Sequence, residues 1–423
     1  MQRIHFVLPK YAAILILAAC FIIAPTSTLA AWKTVKISVS STGSFANGNS
    51  REPAVSADGR YVVFISFASN LVTGDISDSS SDVFVRNLVT GVTKKISINL
   101  KLAGATYYGS YHPRISETGR YLFFVSDFYV FGRKIPILYK HDLNTGVTKA
   151  LTKSGVLDYS PTFDISSDGR YLVFDSSARV FPDFSMKSLV HKYVMDTDTG
   201  KIEGINFKDV PDASGFTLYG LRVSLNGRYV AFWGQHYSGG PIQLFVYDHA
   251  TQKAKVMPFS KVAIKDLRSQ GLEFDMIDSA SGTLVAYKTR SNILAADTNT
   301  DLDIYTYNLA TGQQNLVSVS DTGYTPSCKT LNCGVGIGSS SSNGRYITFN
   351  SVGYPMLMSD PATSSLFIYR RDLNLGITRR IGVLPSPNSY DSISNEVSND
   401  GRLQFVFVKW NRIDRCDVFA VVQ

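Results

Sequence analysis

Val55-Ser56-Ala57-Asp58-Gly59-Arg60-Tyr61-Val62-Val63-Phe64 is the stretch that decides the fold. Asp-Gly between two apolar runs is a strong short-range hairpin signal, because the turn needs positive φ and glycine supplies it without steric cost. The phrase returns at Ile115–Phe124, Ile165–Phe174 and Val223–Phe232, in a worn form at Ser279–Tyr287, and again at Ser341–Phe349 and Val397–Phe407. Turn glycines at 59, 119, 169, 227, 282, 344 and 401 are far enough apart for four short strands each.

A second hairpin follows most of the first ones. Asp82-Val83-Phe84-Val85-Arg86 leads through Thr90-Gly91 into Thr93–Ile98, and the pattern repeats around Thr145-Gly146, Thr199-Gly200, Thr251-Gln252, Thr311-Gly312 and Leu375-Gly376. The chain stops after a third strand, Asp417–Val422, while residues 34–39 copy the fourth strand at 93–98. The pattern predicts an all-β chain: a single seven-bladed β-propeller of four-stranded antiparallel blades, closed by the N-terminal strand (34–39) pairing with the C-terminal strand (417–422). A linear solenoid would want capping repeats at both ends, and the sequence carries none.

Ser-x-Asp-Gly-Arg-Tyr-x-x-Phe and Asp82-Val83-Phe84-Val85-Arg86-Asn87-Leu88-Val89-Thr90-Gly91 resemble the TolB-like, WD40-like propeller repeat family. The resemblance spans residues 34–423 and is poorest in the fifth copy. It implies the fold and says little about activity, since related propellers serve as partner platforms, lyases and peptidase gatekeepers. TolB carries a separate α/β domain before its propeller. No residues are left for one here, so its role does not transfer.

Composition agrees with short strands and tight turns: 23 Tyr, 25 Phe and 32 Gly accompany only 18% charged residues. A hydrophobic share of 44% excludes a disordered chain, and a mean hydropathy of +0.01 excludes a polytopic membrane protein. Residues 1–30 read as a signal peptide: Arg3 and Lys10, then the apolar run Tyr11–Ala24, Pro25, and small residues up to Ala30. The run is too short to span a bilayer. The rival reading is a lipoprotein signal at Cys20, although the apolar run continues through that cysteine. The mature domain is then 31–423, a monomer without a transmembrane span, in the periplasm or secreted. Cleavage removes two cations and no acid, so net charge falls from +8 to +6. The cations are scattered rather than striped, so nucleic acid is not an expected partner.

Cys328 and Cys333 flank a short polar loop and are the expected disulfide in an oxidising compartment, with Cys416 left over. In propeller geometry the residues just before the inner strands ring the channel mouth. These are Glu52, His112, Tyr159, Tyr219 and Asp275, the expected ligand-binding set, overhung by loops at 68–81, 234–240 and 291–302. His112 or His236 with Glu52 or Asp275 are the candidate catalytic groups, a histidine serving as general base. The other reading takes them all as loop residues chosen for solubility and packing. Asp297, Asn299, Asp301 and Asp303 alternate oxygen ligands as calcium loops do, but lack the glycine and closing glutamate of an EF-hand. Asp75, Ser77, Ser79 and Asp82 form a comparable loop. No cofactor is expected beyond that calcium. No HExxH or GxSxG occurs. The expected function is an exported, rigid binding platform for a protein or peptide of the cell envelope; the alternative is a carbohydrate-active lyase or hydrolase.

Overall fold

The computed structural model describes residues 33–423 except 76–79, 98–101, 159–160, 178–190, 206–209, 211–215, 237, 239–241, 259–272, 291–292, 326–333, 353–355, 358–365, 385–389, 395–402, 412–414 and 423. The signal peptide, Tyr159, both loop cysteines, Ser77, Ser79 and residues 397–402 of the seventh turn phrase lie outside the described residues. Six sheets are blades of four consecutive antiparallel strands: I (50–95), II (106–150), III (163–204), IV (216–256), V (274–316) and VI (334–384). In each, the first strand lies innermost and the fourth outermost, paired in chain order.

Six such blades stand where seven were expected; the remaining sheet is composite, and the chain ends pair over 33–36 and 419–422 rather than over 34–39 and 417–422. This sheet takes Tyr390–Ser394, Leu403–Asn411 and Arg415–Val422 from the end of the chain and Lys33–Lys36 from its start. The termini meet in a two-strand ladder of four residue pairs, from Lys33 against Val422 to Lys36 against Phe419. Ile37–Val39 leave the ladder. The amides of Ile37 and Ser38 both converge on the carbonyl of Val418, at 2.8 and 3.4 Å, so the register cannot advance. The junction is held instead by Asp417, fully buried, which accepts Lys36 Nζ at 2.7 Å and Ser38 Oγ at 3.1 Å.

The repeated phrase has a physical account at every position. Ser56 Oγ and the amide of Arg60 both donate to Asp58 Oδ1, and the amide of Tyr61 donates back to Ser56 Oγ, closing the turn on itself. Asp168, Asn226 and Asn343 do the same in their blades. The aromatic that ends each phrase stacks on the residue directly opposite on the third strand: Phe64 on Phe84, Phe124 on Tyr139, Phe174 on Tyr193, Phe232 on Phe245, Tyr287 on Tyr305 and Phe349 on Tyr369. Their centroids are 5.3–5.9 Å apart, within the range where aromatic pairs add to plain burial. Each pair is one blade's central plug.

The turn arginines stay within their own blades. Arg120, Arg170, Arg228 and Arg345 turn back to Asp142, Asp196, Asp248 and Asp372 at the end of their own blade's third strand, at 2.8–3.0 Å. Each also covers the face of the tyrosine that follows it. The arginine end of each pair is exposed to water, which screens the charge, so these pairs add little to stability. Backbone also joins neighbouring blades at this face. The amide of Ala57 bonds to the Glu117 carbonyl, Glu117 to Ser167, and Ser167 to Leu225, each at 2.8–3.1 Å.

Candidate channel-mouth site

Antiparallel order fixes what sits on each face. In every blade the first strand begins, the second-to-third connection turns, and the fourth strand ends on one face. The Asp-Gly turn and the third-to-fourth turn lie on the other. The first strands of blades I, II, IV and VI each carry a bulge along the channel, at 51–54, 111–114, 219–222 and 337–340. Glu52 and His112 occupy the bulge with φ of 51° and 53°, where blade IV uses Gly220 at φ 61°. A non-glycine residue there costs on the order of 1–2 kcal/mol, so the two strained residues need compensation.

They compensate each other. Glu52 Oε2 accepts the His112 amide at 2.6 Å and meets His112 Nδ1 at 3.1 Å, across the boundary between blades I and II. Burial pulls the Glu52 carboxyl up, but the bonds and charge of His112 outweigh it and hold the group below the usual range. Two more carboxylates clamp neighbouring blades by the same device. Asp164 accepts the Val223 amide at 2.9 Å, and Glu273 accepts the Ile337 amide at 2.6 Å.

One residue beyond the bulge region, the inner strands line a central cavity of about 450 Å³. Its wall includes Ala54, Arg114, Asp164, Arg222, Asp275 and Ser340, drawn from blades I to VI in order. From blade II to blade V the charge alternates: Arg, Asp, Arg, Asp. Arg222 Nε lies 3.7 Å from Asp275 Oδ1. Burial at this wall pushes the Asp275 carboxyl up to about 6, with Arg222 opposing and Asp164 adding to the rise.

Of the residues chosen from sequence, Glu52 and His112 therefore meet, Asp275 lines the cavity, and Tyr219 is exposed at the mouth. His236 ends the second strand of blade IV, with Nδ1 2.5 Å from Ser238 Oγ and its ring against the edge of Phe216. Arg114, Asp164 and Arg222 were missed. A signal for them existed: each stands two residues before the serine of its repeat phrase, the position facing the channel. Among the described residues, no group of three or more His, Cys, Asp or Glu side chains is spaced to hold a metal ion. No described helix is long and apolar enough to cross a membrane.

The exposed side chains are sorted by face. Phe45, Phe67, Tyr108, Phe131, Tyr219 and Tyr324 are all at least 43% exposed, and every one lies on the channel-mouth face. They sit at strand starts, in second-to-third connections or in blade-to-blade connections. Phe131, wholly exposed, tips the long hairpin of blade II, whose first three strands have ten residues each. Among the described residues, the large apolar side chains exposed on the opposite face are the aliphatic Val89, Val92, Val147 and Leu375 of third-to-fourth turns.

Such an arrangement of blades around a lined channel defines a β-propeller, and solved structures agree. The chain is similar to the propeller domain of the trilobed protease of Pyrococcus furiosus, with 14% identity, 89% of this chain and 94% of that one covered, and a TM-score of 0.51. It is similar to oligogalacturonate lyase of Vibrio parahaemolyticus with 13% identity, 92% and 96% covered, and a TM-score of 0.52. TolB of Acinetobacter baumannii matches at 17% identity over 82% and 81%, with a TM-score of 0.38. At these identities the first two likenesses establish the fold alone, and the third is too distant to add to it. No protein-family model matches the chain, and no curated protein matches it.

Proposed function

We propose that the protein is an exported, TolB-like propeller that binds a protein or peptide partner of the cell envelope on its channel-mouth face. The observation that carries the reading is the gathering of every exposed aromatic side chain among the described residues onto that face. Aromatic side chains are enriched at the cores of protein interfaces, and exposed apolar groups collected on one side mark interaction surfaces. The alternating Arg114, Asp164, Arg222 and Asp275 wall beneath them offers paired polar contacts to an inserted loop or chain end. Export rests on the reading of residues 1–30 as a signal peptide, and the TolB-like kinship on the repeat phrase.

The lyase or hydrolase reading keeps one specific support, the strained Glu52–His112 pair, in which the carboxylate meets one ring nitrogen. The same bulge recurs in blades IV and VI without either residue type, and parallel clamps recur at Asp164 and Glu273, so we assign the pair to holding blades together. Affinity capture from envelope extract separates the two readings. The parent should retain a discrete partner that a Tyr108→Ser, Phe131→Ser, Tyr324→Ser triple variant loses at least tenfold. Equal retention by both, or polysaccharide turnover that disappears in His112→Ala, would contradict the platform.

A further inference from the structure

Blades I and V repeat the same polar arrangement at the start of their third strands, with two substitutions. In blade I, Asp82 opens the strand; its Oδ1 accepts Ser97 Oγ at 2.7 Å, and Ser97 Oγ accepts the Val83 amide at 3.0 Å. In blade V, Asp303 opens the strand; its Oδ1 accepts Ser318 Oγ at 2.5 Å, and Ser318 Oγ accepts the Ile304 amide at 2.9 Å. The two frames superpose residue for residue. Two side chains differ: Lys95 of the fourth strand is replaced by Leu316, and Phe84 of the third strand by Tyr305, whose hydroxyl donates to Asp297 Oδ2. Phe84 pairs with Lys95, and its counterpart Tyr305 pairs with Leu316.

Lys95 is the cation of blade I. Its ammonium sits 2.7 Å from Asp82 Oδ2 and 2.7 Å from Asp75 Oδ1, joining two carboxylates. In blade V the leucine removes the ammonium, but the carboxylates remain. Asp297 is 5% exposed and Asp303 2% exposed, and Asp303 Oδ2, the counterpart of the oxygen that Lys95 holds, has no hydrogen-bond partner. Buried like charges with an unpartnered oxygen are costly unless a cation offsets them. The loop also brings Asn299 and Asp301 alongside, the Asn299 amide donating to Asp297 Oδ1 at 3.2 Å and the Asp301 amide to Asn299 Oδ1 at 2.6 Å.

We infer that blade V binds a calcium ion between Asp297 and Asp303, at the place where blade I holds its lysine ammonium. The chemistry fits a hard cation taking two carboxylates and an amide oxygen from one irregular loop, with Asn299 and water completing the six to eight ligands calcium accepts. Magnesium, which demands a near-ideal octahedron and dehydrates reluctantly, suits such a loop less well. A calcium ion here would tie the second-to-third connection of blade V to its third strand, as Lys95 ties the matching loop of blade I.

The test uses the mature chain stripped with chelator, followed by calorimetric titration and thermal unfolding with calcium or magnesium. The parent should bind one calcium per chain and gain several degrees in Tm, with a smaller gain in magnesium. Asp303→Asn should lose the response, and Asp75→Asn in blade I should keep it. Leu316→Lys supplies the missing ammonium, so its stripped form should melt higher than the stripped parent and no longer respond to calcium; this variant decides the matter if Asp303→Asn does not fold. A parent without calcium binding, a response retained by Leu316→Lys, or an equal gain in magnesium would overturn the assignment.

Discussion

At the residue scale, the channel wall is an arrangement of charges whose energetics can be read by titration. Asp275 lies against Arg222 with Asp164 next in the ring, and its carboxyl is pushed up to about 6 in the folded chain. A raised carboxyl means the folded state holds that proton more tightly than the unfolded chain does. Stability from this group is therefore present at low pH and is lost as pH rises through about 4 to 6. Asp275→Asn cannot ionise, so its Tm relative to the parent should climb across that window and level off above it. Paired melting curves from pH 4 to 7.5 check this, and a relative Tm that falls with pH would show that Arg222 more than offsets the burial. The same residue illustrates how much of the site was legible. Asp275, Glu52 and His112 were found from propeller geometry, because residues before an inner strand must ring the mouth. Their roles were not legible, since only the folded chain shows that Glu52 spends its carboxylate on the His112 amide of the next blade.

At the element scale, the repeat phrase was legible because each position answers a local demand: a side-chain oxygen to close the turn, glycine for positive φ, an aromatic for the plug. The destination of the arginine was not, because the aspartate it meets lies on the third strand and outside the phrase. Nor was the end of the closing ladder, because Ile37–Val39 keep a strand-like pattern while two of their amides converge on one carbonyl. Turn glycines fall into two kinds that sequence alone does not separate. Gly146 has φ +74° and open space where a Cβ would stand, whereas a Cβ on Gly344, at φ +65°, would lie 2.3 Å from the Asp278 carbonyl of blade V. Gly146→Ala should cost about 1 kcal/mol from the backbone alone. Gly344→Ala should cost about 2 kcal/mol more, because backbone of the next blade must move. Denaturant unfolding of both variants measures the difference, and equal costs would mean that the turns do not bear on neighbouring blades.

For the whole molecule, the account assigns different work to the two faces. The Asp-Gly face knits blades together through backbone bonds from Ala57 to Glu117, Ser167 and Leu225. The opposite face carries all the exposed aromatic side chains among the described residues, and the charged wall lines the channel between the two faces, reaching Ala57, Glu117 and Leu225 of the Asp-Gly turns. This division follows from antiparallel topology, in which short, tight turns leave one face closed and longer connections leave the other free to vary. Site-specific photo-crosslinking in intact cells tests the division most directly, with the probe placed at Phe131, Tyr219 or Tyr324 on one face and at Val147 or Leu375 on the other. The account predicts a discrete adduct of one size from the first three positions and none from the last two. Adducts from Val147 and Leu375, with none from the aromatic positions, would contradict it.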